Sequence, residues 1–203
     1  MKDCGVDCFL AQAPVTMGYL HGFHESGHER FMTLAVSAHA EVRLICPALS
    51  ESQAKRAGIQ DVRGWKDGEN PLALFEQLAS DWCLRSAIIA VDDEMPAQML
   101  LKMQSALPAA LFRPGQAVLA ELMRRKEPGE LDEMRRAGHI ADEAFEAVKS
   151  QIHPGMTERQ VSTVLGAEMA RRGGGDSRSA GRPDQCRACT LSRGAAPRLD
   201  RPP

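Results

Sequence analysis

The sequence predicts an α/β domain, followed by two helices of an incomplete second domain and a disordered tail. Three observations point there. Strand-like and helix-like segments alternate from Val6 to Phe112, the pattern of helices packed on a sheet. From about Gly115 helix follows helix instead. After Gly173 the chain runs on in Arg, Gly, Pro and Ser, with no Val, Ile, Met or aromatic residue.

Each element follows from its pattern. Val6–Ala11 is a short apolar run suited to a buried strand. Phe31–Ser37 and Glu41–Cys46 flank Ala38-His39-Ala40 and form a hairpin. Pro47–Ala57 is helical, and residues 58–62 return the chain to a strand. Residues 71–83 place Leu72, Phe75, Leu78, Ala79 and Trp82 at helical spacing. Residues 87–91 form a buried strand that ends at Asp92-Asp93. A helix over Pro96–Leu107 and a short strand over Ala110–Phe112 complete the first domain. Arg113-Pro114-Gly115 marks its boundary.

Beyond it, Leu131, Met134, Gly138, Ala141, Phe145, Val148 and Ile152 recur at steps of three and four. They predict one apolar stripe along a long helix, with Pro128 in its first turn. Thr157 and Gln160 form a capping box that starts the next helix. The buried face of that helix is expected at Val161, Val164, Leu165 and Met169. The divisions are therefore 1–114, 115–175 and 176–203. The last segment cannot bury enough apolar surface to offset the entropy of ordering it.

Composition narrows the function classes. A formal net charge of −2 gives no reason to expect nucleic acid or an anionic membrane. With 43% hydrophobic and 26% charged residues, the chain has the balance of an ordinary globular protein. No apolar run is long enough to span a bilayer, and Met1-Lys2-Asp3-Cys4-Gly5 lacks a signal-peptide core. A cytoplasmic location is expected. The six cysteines are then reduced, with Cys8, Cys46 and Cys83 acting as small hydrophobes.

Several motifs invite chemistry and mostly fail to sustain it. His24, Glu25 and His28 make H-E-x-x-x-H, one residue too long to stack two imidazoles on a helix face, so a polar loop is expected. Cys186 and Cys189 form a C-x-x-C pair without the second pair of a zinc ribbon, a chance occurrence in a tail. Asp92-Asp93-Glu94, between strand and helix, fits capping. The glycines at 173–175 lack the Lys and Ser/Thr of a phosphate loop and terminate a helix. Met99, Met103 and Met134 sit at helical spacing and belong to a core.

Three blocks carry a family resemblance. Met17-Gly18-Tyr19-Leu20-His21-Gly22-Phe23 is similar to N-x-x-Y-L-T-G-F, with His21 where Thr is usual. Residues 124–130 resemble R-x-x-K-x-x-x-E, and Ile152–Glu158 resembles I-x-P-G-x-T-E. Their order and spacing match the Xaa-Pro dipeptidases and aminopeptidases of the prolidase-creatinase, pita-bread metallopeptidase family. The resemblance implies an N-terminal mixed sheet flanked by helices, then the start of a pita-bread α+β domain. It also implies a homodimer formed through the N-terminal domain, which covers the neighbouring active site. Intact members hold two divalent ions (Mn, Co or Zn) on two Asp, one His and two Glu. They cleave the bond before proline in proline-containing peptides.

None of those five ligand motifs can be matched, so no catalytic residue and no metal ligand is carried over. The loop after the first block is expected to approach substrate, with Tyr19, His24 and Arg30 as candidates. The tail departs from the family pattern and resembles GC-rich coding DNA read in the wrong frame. A frameshift near codons 173–178 is the expectation. The chain then reads as an Xaa-Pro peptidase truncated before its metal ligands and inactive alone. Two alternatives stand beside it: a non-enzymatic dimerisation or protein-interaction module, and a creatinase-like amidinohydrolase relative.

Overall fold

The computed structural model describes Met1 and residues 5–174. The elements are β1 (Cys8–Ala11), α1 (Pro14–His21), β2 (Thr33–Ser37), β3 (Val42–Pro47), α2 (Glu51–Arg56) and β4 (Asp61–Trp65). There follow α3 (Pro71–Asp81), β5 (Ile88–Val91), α4 (Ala97–Ala106), β6 (Leu111–Pro114), α5 (Gln116–Arg124), α6 (Pro128–Lys149) and α7 (Glu158–Arg171). Short 3-10 turns at Ala48–Ser50 and Leu84–Ser86 lead into α2 and β5. Among the described residues no helix is long and apolar enough to cross a membrane.

The six strands form one mixed sheet in the order β4-β3-β2-β1-β5-β6. β1–β2 and β2–β3 pair antiparallel, and the other neighbours are parallel. The expected hairpin is β2–β3. Its turn is closed by Ser37, whose Oγ accepts from the His39 and Glu41 amides at 3.2 and 3.1 Å. The parallel pairs need crossovers, and helices supply them.

Alternation along the strands divides the core in two. In β1, Cys8 and Leu10 face one side while Phe9 and Ala11 face the other, because successive side chains point to opposite faces. The first face packs against Phe75 and Leu78 of α3 and Met99 and Met103 of α4. The second packs against Met17 of α1, Ala54 of α2, and Val118 and Leu119 of α5. The sheet thus lies between two helical layers. Asn70 caps α3 by accepting from the Leu72 amide at 3.1 Å, with Pro71 in its first turn.

Backbone contacts divide the chain into one unit through Arg124 and another from Arg125. The expected break at Arg113–Gly115 falls inside the first unit. α5 belongs there because Val118 and Leu119 are buried against the sheet. Gly115 permits the close approach: an added β-carbon would lie 2.5 Å from both a Phe9 ring carbon and the Val91 carbonyl.

The second unit is a helical hairpin. Glu130 Oε2 accepts from the Glu127 amide at 2.8 Å at the start of α6. Thr157 and Gln160 make the expected box on α7, at 2.8 and 3.3 Å. The expected single buried stripe on α6 is split. Ala144 and Val148 are buried, whereas Leu131, Met134, Phe145 and Ile152 are exposed. Val161, Val164, Leu165 and Met169 of α7 are only half-buried. One helix covers only one flank of another.

Cysteines divide as well. Cys8 and Cys46 are buried in the sheet, but Cys83 is exposed. It follows α3 in the left-handed region (φ 55°), so the chain turns its side chain away from the core. Cys186, Cys189 and the segment 176–203 lie outside the described residues.

Candidate functional site

The candidate loop, residues 22–32, runs from the end of α1 to the start of β2. Gly22 ends α1 with φ 75°, and its amide donates to the Gly18 carbonyl at 2.7 Å. Buried Phe23, Phe31 and Met32 anchor both ends of the loop in the core. Trp65 of β4 adds a tether, its indole N–H donating to the Phe31 carbonyl at 2.9 Å. Gly27 makes the tight return: a β-carbon there would stand 2.7 Å from the Arg30 carbonyl oxygen.

Each expected substrate-proximal residue has its own anchor. The Tyr19 hydroxyl donates to the Leu122 carbonyl in α5 at 3.0 Å. The His24 ring lies over Gly18 of α1, so closely that a β-carbon at Gly18 would overlap the imidazole. Arg30 forms a two-point pair with Asp67, at 3.2 and 3.3 Å. The structure therefore brings His24 against the helix that bears Tyr19 and holds Arg30 elsewhere.

Burial sets the charge state of the histidines. Desolvation lowers the pKa of His24 below its ordinary value. Desolvation also lowers that of His21, partly offset by a backbone hydrogen bond. Both rings are neutral near pH 7, and a neutral imidazole can donate at one nitrogen and accept at the other.

Glu25 is the residue that sequence reasoning placed in a polar loop without finding its partner. The Ser50 hydroxyl donates to Glu25 Oε1 at 2.6 Å. Cys46 lies nearby; burial and then the Glu51 and Glu25 carboxylates push its thiol up to about 12. It is an inert structural thiol. Asp92 is the second discovery. Its Oδ2 accepts from the Gln12 and Ala13 amides at 3.2 and 3.0 Å, at the start of α1. The expected capping role is not what Asp92 performs: neither α1 nor α4 has a side-chain cap, and Asp92 instead ties the backbone just before α1 to the end of β5.

Among the described residues no group of three or more His, Cys, Asp or Glu side chains could hold a metal ion. His24, Glu25 and His28 do not form one: His24 rests on Gly18 and Glu25 is turned to Ser50. The described donor set therefore does not fit a dinuclear centre.

A sheet between two helical layers, followed by a helical hairpin, defines an α/β domain of the prolidase type. The chain belongs to the creatinase/prolidase N-terminal domain family, whose model matches residues 1–124. Residues 132–197 match metallopeptidase family M24, a match that runs on through the segment of unusual composition. The putative dipeptidase YkvY of Bacillus subtilis (strain 168) is 25% identical over 175 residues, 85% of this chain and 48% of its own length. An Xaa-Pro dipeptidase of Lactobacillus helveticus is 28% identical over 165 residues, covering 80% and 45%. In fold, a prolidase from Thermococcus sibiricus matches with a TM-score of 0.78 at 23% identity. That match covers 86% of this chain and 48% of the other. The chain spans about half the length of the curated relatives it matches.

Proposed function

We propose that this chain is the framework half of a metal-dependent peptidase that cleaves the bond before proline, and that it does not hydrolyse such bonds alone. The observation that carries this reading is the division of the family matches. Residues 1–124 fit the creatinase/prolidase N-terminal domain, only residues 132–197 fit the peptidase family, and the two together span about half of each relative. The relatives' family uses divalent metal, which would activate water for attack on the peptide carbonyl. The described residues offer no donor set for it, so no step is assigned to them.

The framework is expected to pair with a second copy through residues 1–124. In such a pair the 22–32 loop approaches peptide, with neutral His24 able to donate or accept a hydrogen bond. Tyr19 positions α1 against α5 through its bond to Leu122. Arg30, held by Asp67, fixes the far side of the loop.

The test is hydrolysis of an Xaa-Pro dipeptide by the purified chain, with Mn²⁺, Co²⁺ or Zn²⁺ supplied. No metal-dependent turnover is expected. Turnover that a chelator removes and added metal restores would overturn the reading. Light scattering checks the pairing: a mass twice 22.1 kDa is expected, and a monomer at all concentrations would refute it.

A further inference from the structure

Two helices on one face of the sheet leave a groove beside the seam where they meet. α3 and α4 pack over the sheet through buried Phe75, Leu78, Met99 and Met103. Outside that seam, Leu72 and Glu76 stand one turn apart on α3. Gln98, Leu101 and Lys102 share one edge of α4, because residues three and four apart are neighbours on a helix. With Ala106 they line an open groove of about 460 Å³. That size falls within the ~300–1,000 Å³ of small-molecule sites.

The lining is amphipathic, and its polar groups are unspent. Among the described residues, Glu76, Gln98 and Lys102 have no ion-pair or hydrogen-bond partner. Glu76 and Lys102 therefore place opposite charges on the two walls without bonding to one another. Leu101 is 61% exposed, and Leu72 and Ala106 are half-buried. A simple anion would satisfy Lys102 and be repelled by Glu76, and a simple cation would do the reverse. A molecule that carries both charges beside an apolar group matches every part of the lining.

We propose that this groove binds a zwitterion with an apolar side chain, the chemistry of a free aliphatic amino acid or of a short peptide. The ammonium faces Glu76, the carboxylate faces Lys102, and the aliphatic group lies on Leu72, Leu101 and Ala106. Gln98 serves either charge, since its carboxamide both donates and accepts. A second copy is a poorer occupant. A stable interface buries about 800 Å² on each partner, and Leu101 is the one largely exposed apolar residue of this lining. The groove includes no residue of the 22–32 loop or of the M24 match, so the proposal stands apart from the framework reading.

The probe is L-leucine, titrated into the isotope-labelled full chain and followed by nuclear magnetic resonance. Amide shifts are expected at Leu72, Glu76, Leu101 and Lys102, saturating in the millimolar range that suits a small ligand in an open groove. N-acetyl-L-leucine lacks the ammonium and L-leucinamide lacks the carboxylate. Each should bind about threefold more weakly, the scale of one exposed ion pair. Glu76→Gln should erase the preference for L-leucine over its N-acetyl form and keep the preference over the amide. Lys102→Met should do the opposite. Misfolding cannot produce that crossed pattern.

L-leucyl-L-leucine separates the two sources of this chemistry. Tighter binding than L-leucine assigns the groove to peptides, equal or weaker binding assigns it to free amino acids, and both support a zwitterion site. No saturable shift at these positions overturns the proposal, as does equal binding of L-leucine, its N-acetyl form and its amide. A dimer dissociated by Leu101→Asp would give the groove to a second copy and overturn it as well. Hydrolysis of an Xaa-Pro dipeptide, present or absent, bears on the framework reading alone.

Discussion

Residues 1–124 and residues 125–174 solve the same problem to different degrees. The first unit places a sheet between two helical layers, and Phe9, Leu10, Phe75, Leu78 and Ile89 are all 0–1% exposed. The second lays one helix beside another, and its largest apolar side chain, Phe145, stays 56% exposed. Both carry apolar residues at proper spacing. The difference is geometric: a sheet offers two faces that helices can seal, whereas a helix bearing a wide apolar stripe needs neighbours on more than one flank.

That contrast is broken or sharpened most strongly by deleting an aromatic ring from each unit. Phe75→Ala should cost about 3–5 kcal/mol, from lost burial and the cavity left behind. Phe145→Ala should cost less than about 1 kcal/mol, since much of its ring is already in water. Urea unfolding of the two variants measures the difference. Equal losses would mean that Phe145 is covered in solution.

Next in size is Gly18→Ala. The new methyl meets the His24 ring, with a cost of about 1–3 kcal/mol if the ring cannot move aside. His24→Ala should be milder alone and should restore much of the stability when combined with Gly18→Ala. Strictly additive losses in a double-mutant cycle would show that the two residues do not touch.

The first unit also carries the acid-sensitive ion network. Arg43 lies between Asp61 at 2.6 Å and Asp81 at 2.5 Å, its guanidinium 5.6 Å from the Trp82 ring centre. Burial alone raises the Asp61 pKa, but hydrogen bonds from Arg63 and Arg43 outweigh it and hold the carboxyl below its ordinary range. A carboxyl depressed in the folded state contributes stability above its unfolded pKa. That contribution is lost as pH falls through the folded one. Stability should therefore decline as pH drops below the usual carboxylate range near 3.8, and Asp61→Asn should flatten that decline. An unchanged acid limb would remove Asp61 from the account.

His21 and His24 give a smaller slope of the same sign at higher pH. Their folded pKa values lie below 6.5. The unfolded chain therefore takes up protons first, and stability falls as pH drops through and below 6.5. Nuclear magnetic resonance titration should find both midpoints under 6.5, with His24→Gln removing part of the stability slope between pH 7 and 5.5. A His24 midpoint at or above 6.5 would mean that its ring is solvated.

Much of the first unit was legible because strand alternation and helical spacing are local signals. The β2–β3 hairpin, α3 and α4 fall where their apolar periods put them, and the Thr157–Gln160 box starts α7 as expected. The α6 stripe misled because periodicity names a face that wants cover and says nothing of how much is supplied. α5 was assigned to the wrong side of a boundary because Pro114-Gly115 looks like a linker, yet here it is a tight turn under Phe9. Cys83 looked like a core residue until a left-handed backbone turned it outward.

The candidate site was less legible for the same kind of reason. Tyr19, His24 and Arg30 were picked out by resemblance, and their anchors were not. Gly18 inside a short helix was a readable hint that something approaches closely, but only the fold names His24. The Ser50–Glu25 bond and the reach of Asp92 to the Ala13 amide join residues 25 and 79 positions apart.

By itself the sequence determined most of the strands and helices (α1 escaped it), the Thr157–Gln160 cap, and the family, because each rests on spacing within a few residues. Tertiary structure alone decided which strands became neighbours, where the first unit ends, what holds the 22–32 loop, and which half of the α6 stripe is sealed. Those outcomes depend on contacts between segments far apart in the chain, where volume and chain geometry choose among partners that local pattern leaves equivalent.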